Sequence, residues 1–150
     1  MKPIDPYAAG KFSANPYAAK RAVLGPLAVV LDGRMDDRGL LLIKPISRCI
    51  RRHDIHELIL TDEAEAKPGA VVNRIAYLGF VEIEQGGVIV EGDAVFLAGE
   101  KVGVLAGFDE THMPNHLNIV IRTETMISGS MLGARLGMKV CFEMLTGGDV

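Results

Sequence analysis

The chain has 150 residues, 49% of them hydrophobic but only 5% aromatic, and 16 Lys+Arg stand against 19 Asp+Glu for a formal charge of −3. That length fits one domain with its own hydrophobic core, and the apolar content excludes an intrinsically disordered chain. The weak negative charge offers no bulk attraction to nucleic-acid phosphates or anionic lipid.

Residues 1–22 differ in character from the rest. Asp5-Pro6-Tyr7-Ala8-Ala9 recurs as Asn15-Pro16-Tyr17-Ala18-Ala19, and each copy is followed by a lysine, Lys11 or Lys20. Asp or Asn before Pro favours turn initiation. The segment therefore reads as an extended N-terminal arm lying on its own domain or on a neighbouring subunit, with residues 23–150 as a single β-rich domain. The N-terminus has no apolar stretch after basic residues, so no secretory leader is expected. No apolar run approaches the roughly 18 residues of a membrane-spanning helix. Cys49 and Cys141 are too few and too far apart for a disulfide framework. They suggest reduced, partly buried thiols in a cytoplasmic protein.

From Val23 the pattern is that of strands. Residues 23–31 form an apolar run with Gly25-Pro26 in its middle, which predicts a bend or an edge position. Residues 32–39 read as a polar turn, and Leu40-Leu41-Leu42-Ile43 as a short buried strand. Residues 46–66 are ambiguous. Ile46, Cys49, Ile50 and His53 recur at helical spacing after a potential cap at Ser47, and this predicts one or two short helices. Between 70 and 122, short strands alternate with glycine turns. Gln85-Gly86-Gly87 predicts a hairpin, Glu91-Gly92-Asp93 and Gly99-Glu100 predict further turns of the chain, and Leu117-Asn118-Ile119-Val120-Ile121 is a further strand. The stretch Gly92-Asp93-x-Val95 with Lys101-Val102-Gly103-Val104 resembles the hairpin of many small β-barrel modules, which implies a fold class and no function. Residues 128–137, rich in Gly and Ser, read as a tight connection, and residues 139–144 as a last strand. Gly79, Gly103 and Gly107 fall where a small barrel needs bulges or sharp coiling. The predicted fold is mainly β: a small closed barrel or barrel-like sandwich, with one or two short helices and the N-terminal arm.

The chemistry-bearing residues concentrate between the strands ending near Gly107 and starting at Leu117. Asp109, Glu110, Thr111, His112, Asn115 and His116 put two acids, a hydroxyl, an amide and two of the four histidines into eight residues. Functional groups tend to sit on loops held by a rigid scaffold. His112 and His116 have the i, i+4 spacing of a helical metal pair, but Pro114 between them argues that loop geometry must bring them together. A divalent metal would need a third ligand, with Asp109 or Glu110 nearest in sequence. Alternatively, His112 or His116 would act in acid–base chemistry with Asp109 and Glu110, and Thr111, Asn115 and Arg122 would contact the ligand. A second group, Arg51-Arg52-His53-Asp54-Ile55-His56-Glu57, would place His53, His56 and Glu57 on one face of a helix and could join the first across the fold. Arg51 and Arg52 could instead hold a carboxylate or phosphate, since guanidinium forks fit such groups. The expected position of the loop is a cavity shielded from bulk solvent.

The reading that results is a β-barrel binding a small polar or anionic ligand at the 109–116 loop, with metal-assisted or acid–base chemistry there. Alternatives are a non-catalytic homo-oligomeric assembly module and, behind it, an oligonucleotide-binding barrel. The partners expected are other copies of the chain and a small molecule. Nucleic acid is disfavoured, because basic residues do not interleave with aromatics. A mean hydropathy of +0.24 supports the homo-oligomer, since surplus apolar surface usually marks contact sites.

Overall fold

The structure, a computed structural model, describes residues 16–145. Its strands are β1 (Val23–Val30), β2 (Arg34–Met35), β3 (Leu40–Leu41), β4 (Ser47–Ile50), β5 (Ile55–Thr61), β6 (Val71–Val72), β7 (Ile75–Glu82), β8 (Gly87–Val90), β9 (Ala94–Leu97), β10 (Glu100–Asp109), β11 (Asn118–Arg122) and β12 (Lys139–Glu143). One helix, α1 (Gly129–Leu132), lies before β12. Seven strands close a ring in the order β1, β12, β9, β10, β11, β5, β7 and back to β1. Within it β11 and β5 run parallel and the other neighbours are antiparallel. The expected barrel-like architecture is present.

Closure depends on β1 changing partners halfway. Val23 to Pro26 pair with Phe142 to Lys139 of β12. The register then shifts, and Leu27, Val29 and Val30 pair with Val81, Phe80 and Gly79 of β7. Pro26, which has no N–H to donate, stands at the changeover, where the sequence predicts a bend. The seam is tight enough to require glycine on both strands. A Cβ at Gly25 would fall on the Glu82 carbonyl oxygen, and one at Gly79 on that of Val29.

The strand period of two separates the core into two layers. Leu58, Leu60, Leu105, Phe108, Ile119 and Ile121 belong to the main cluster inside the barrel. Their alternates Ile59, Ala106 and Val120 face outward and pack with Leu40, Leu42 and Val72, which the β3–β6 ribbon lays over that side. This explains why β5 reads as an almost continuous buried run. It is covered on both faces.

Three expectations change. Residues 46–66 contain no helix. β4 pairs with β8, and β5 sits between β7 and β11, so tertiary pairing overrides the helical spacing of Ile46, Cys49, Ile50 and His53. The one helix among the described residues falls in the stretch read as a tight connection. Ser128 caps it by accepting from Met131 N, and Gly133 ends it in a left-handed conformation. The turn at Gln85-Gly86-Gly87 exists, but β8 leaves it to pair with β4 rather than with β7. The β9–β10 hairpin forms as expected.

Both cysteines are free, and Cys49 is exposed rather than partly buried. Burial, then the neighbouring Glu143 carboxylate, pushes the Cys141 thiol up to about 11. The first copy of the Pro-Tyr-Ala-Ala repeat lies outside the described residues. After the second copy, Lys20 places Nζ 2.6 Å from Asp93 Oδ2, with both side chains nearly buried. No helix among the described residues is long and apolar enough to cross a membrane.

Candidate functional site

The site begins with a row of residues across four adjacent strands. Phe80 on β7 pairs with Glu57 on β5, Glu57 with Asn118 on β11, and Asn118 with Asp109 on β10. Paired residues point to the same side of a sheet. That side is the outer one, which Ile59 and Val120 share two positions further along their strands. The row therefore carries one aromatic, two carboxylates and one amide on the outside of the barrel, at the end where β10 crosses to β11.

The connecting loop, residues 110–117, folds back over this row. Met113 N donates to the Glu110 carbonyl, and the N–H groups of Asn115 and His116 donate to that of His112. These turns bring His112 and His116 together, with ring centroids 5.0 Å apart. Pro114 is accommodated because the segment is a chain of turns and not a helix. His116 reaches down to the row. Its Nε2 lies 3.1 Å from Glu57 Oε1, and its ring stands edge-on to Phe80 with centroids 5.0 Å apart. Asn115 Nδ2 lies 2.8 Å from His116 Nδ1, and Arg38 Nη2 lies 3.2 Å from His112 Nε2. Glu57, His112 and His116 each offer a donor atom, and these atoms lie within 4.8 Å of one another.

Each end of the loop is fixed. At its start, Asp109 Oδ1 accepts from Thr111 N and Asn118 Nδ2, and Oδ2 accepts from Leu41 N. Burial alone would raise the Asp109 carboxyl. Hydrogen bonds from Thr111, Asn118 and Leu41 outweigh it and hold the group below its ordinary value. Glu110 is tied to β4 through Arg48, with Nη1 2.7 Å from Oε2. At its end, Leu117 N donates to His56 Nδ1 and Glu57 N donates to the Leu117 carbonyl. Burial lowers the His56 pKa against the opposing pull of Asp54. The neutral ring is the form that accepts from Leu117 at Nδ1.

The sequence-predicted residues thus divide. His112 and His116 come together as expected. Asp109 and Glu110, the carboxylates nearest in sequence, are engaged elsewhere, and the third donor is Glu57 from the second group. His53, His56 and Glu57 do not share a face, because the segment is a turn followed by a strand. His53 is exposed in the turn with φ 77°, and His56 and Glu57 alternate across β5, so only Glu57 joins the cluster. Thr111 holds the loop base through its N–H, and Asn115 holds His116. Arg122 lies at the far end of β11, where Nη1 donates to the Ala66 carbonyl and stands 3.6 Å from Glu91. It contacts none of the loop residues. The loop is not in a shielded cavity. Residues 110–115 are exposed and only His116 is half-buried, because the loop packs on the outer face of the barrel and not across its mouth.

Arg38 and Phe80 were not singled out from the sequence. Glu57 had a signal, because a lone carboxylate inside the run Ile55-His56-Glu57-Leu58-Ile59-Leu60 must be buried or must mark the wet face of a strand.

A fold with this closed ring and a site of two imidazoles and one carboxylate describe an outer-face donor cluster on a small β-barrel. The chain belongs to a family of unknown function, DUF6917, whose sequence pattern matches residues 17–143. No curated protein and no solved structure matches it.

Proposed function

We propose that this protein binds a divalent transition-metal ion through His112, His116 and Glu57, and that the ion presents a small polar or anionic ligand. The observation that carries the reading is the state of Glu57. It is 7% exposed, and the only polar side-chain partner of its carboxylate among the described residues is His116. A buried carboxylate needs compensation, and one carboxylate with two imidazoles is a donor set that suits zinc and its neighbours.

The hydrogen bonds support this over acid–base chemistry. A neutral His116 with its proton on Nε2 donates to Glu57 and accepts from Asn115, so neither nitrogen is left for substrate. Glu57, His112 and His116 would hold the ion, and Asn115, beside His116 Nδ1, would accept that nitrogen's proton through its amide oxygen, the outer-shell support that metal-bound imidazoles usually have. Three protein donors leave a position where a bound water or ligand group can be polarised. The Arg38 guanidinium beside His112 has no carboxylate within ion-pair distance among the described residues, which favours an anionic ligand at that position.

Titration of chelator-treated protein with Zn²⁺, followed by calorimetry and thermal melting, tests the reading. One equivalent is expected to bind and to raise the melting temperature. His112→Ala, on an exposed side chain, should leave the metal-free melting temperature unchanged. Both it and Glu57→Gln should weaken binding by more than about 100-fold, beyond the loss typical of an outer-shell change. No saturable binding, or His112→Ala binding as tightly as the wild type, overturns it.

A second reading, the homo-oligomer, is supported by one surface. Met131 and Leu136 are 73% and 70% exposed around α1, and Leu132 is 39% exposed beside them. A gel-filtration mass equal to one chain overturns that reading.

A further inference from the structure

A second set of residues, remote in role from the histidine loop, surrounds a cavity of about 620 Å³ between the β4–β5 turn and the β7–β8 turn. Arg51 and Arg52 come from the first turn, and Arg21 from the segment entering β1. The walls between them are Ile50, Val88 and the backbone of Gly86 and Gly87. The two turns pack closely. A Cβ on Gly86 would come within 2.6 Å of the Ile50 carbonyl oxygen and 3.0 Å of Arg52 N. The glycine therefore lets one turn lie against the other and gives the cavity a floor of main chain.

The charge around this cavity is not balanced. Of its three guanidinium groups only Arg51 has a carboxylate within ion-pair range, with Nε 3.8 Å from Asp54 Oδ1 and an 87% exposed side chain. Asp54 also accepts from Arg51 N and faces His56, so its charge is shared. Glu84, the one acid in the lining, is paired with Lys139 at 3.4 Å. Arg21 and Arg52 have no carboxylate partner among the described residues. Three arginines line one concavity, and a guanidinium fork can bind an oxyanion through two parallel N–H groups. The concavity is open to solvent, and Ile50 and Val88 in its lining offer apolar surface to an organic moiety.

We propose that this cavity binds a small organic oxyanion, a phosphate ester or a polycarboxylate, through Arg21, Arg51 and Arg52. The site stands independently of the metal reading. It carries its own reporter, since the exposed thiol of Cys49 lines the same cavity while Cys141 lies on β12 outside it.

The test is the rate of thiol alkylation by iodoacetamide, followed by mass spectrometry of each cysteine peptide, with inorganic phosphate or citrate as the probe and chloride at equal ionic strength as the control. Phosphate and citrate should each protect Cys49 saturably, and protection by citrate alone or phosphate alone assigns the class. Cys141 should be unaffected. Arg52→Ala and Arg21→Ala, both on exposed side chains, should each weaken protection about 10-fold or more, the loss expected for one charge-assisted contact, with the melting temperature unchanged. If neither anion protects Cys49 beyond chloride, or if the arginine variants are protected as well as the wild type, the proposal falls. Protection of both cysteines alike also overturns it, because that reports general stabilisation and not occupancy.

Discussion

Asp109 is 2% exposed and yet held below the ordinary carboxylate value of 3.8, because the hydrogen bonds of Thr111, Asn118 and Leu41 favour its charged form more than burial disfavours it. The same bonds fix the start of the histidine loop and attach the β3 segment to β10. A depressed folded-state pKa means the unfolded chain binds more protons between the two values, so stability rises with pH through that interval. The contribution of Asp109 is therefore fully present above 3.8 and is lost as the pH falls through its lower folded-state value. Asp109→Asn keeps the size of the side chain but aims an amide donor at groups that are themselves donors. We expect it to cost about 1–3 kcal/mol at neutral pH. The gap from wild type should narrow below 3.8 as Asp109 itself takes up a proton. Urea unfolding midpoints at a series of pH values check this, and a gap that is constant with pH would mean the carboxylate's charge contributes nothing.

At the scale of elements, the barrel closes only where β1 and β7 approach within the space that glycine leaves. Gly79→Ala places its methyl on the Val29 carbonyl and forces the seam apart, so we expect a loss of at least about 1–3 kcal/mol, the usual cost of overpacking. A chemical unfolding curve within error of the wild type would show that the seam can shift to admit it. This seam also marks how far the sequence could be read. The strands at 94–97, 100–109 and 139–143 were legible because glycine turns adjoin alternating or apolar runs, the strand at 118–122 because an apolar run follows a polar loop, and Pro26 signalled a bend at the point where β1 changes partner. The 46–66 segment was not. Ser47-Arg48-Cys49-Ile50 is too short for its period to show, and β5, covered on both faces, has no alternation to display. The same burial hid the site. His112 and His116 could be found as a cluster, but pairing them with Glu57 requires knowing that β5 and β11 run side by side in parallel, which is long-range information that no local spacing carries.

At the scale of the whole molecule, Lys20 joins the segment before the barrel to the turn between β8 and β9. Its ammonium lies 2.6 Å from Asp93 Oδ2, with side-chain exposures of 9% and 5%. Asp93 also accepts from Val90 N, which shapes the turn leading into β9. Such a pair is weak evidence of net stabilisation, because burying both charges costs nearly what their attraction returns. Removing one partner is different, since the other then stays buried and uncompensated. Lys20→Met keeps the apolar stem and deletes the charge, and we expect it to cost about 3–5 kcal/mol. Adding Asp93→Asn removes the stranded charge while leaving an oxygen for the Val90 N–H, so the double variant should be more stable than Lys20→Met alone. The two single variants and the double form a cycle whose interaction energy isolates the contact. Because the pair is shielded from solvent, salt should change that energy little. An additive cycle would mean that the entering segment is not fastened to the barrel by this contact, and that Asp93 serves only its own turn.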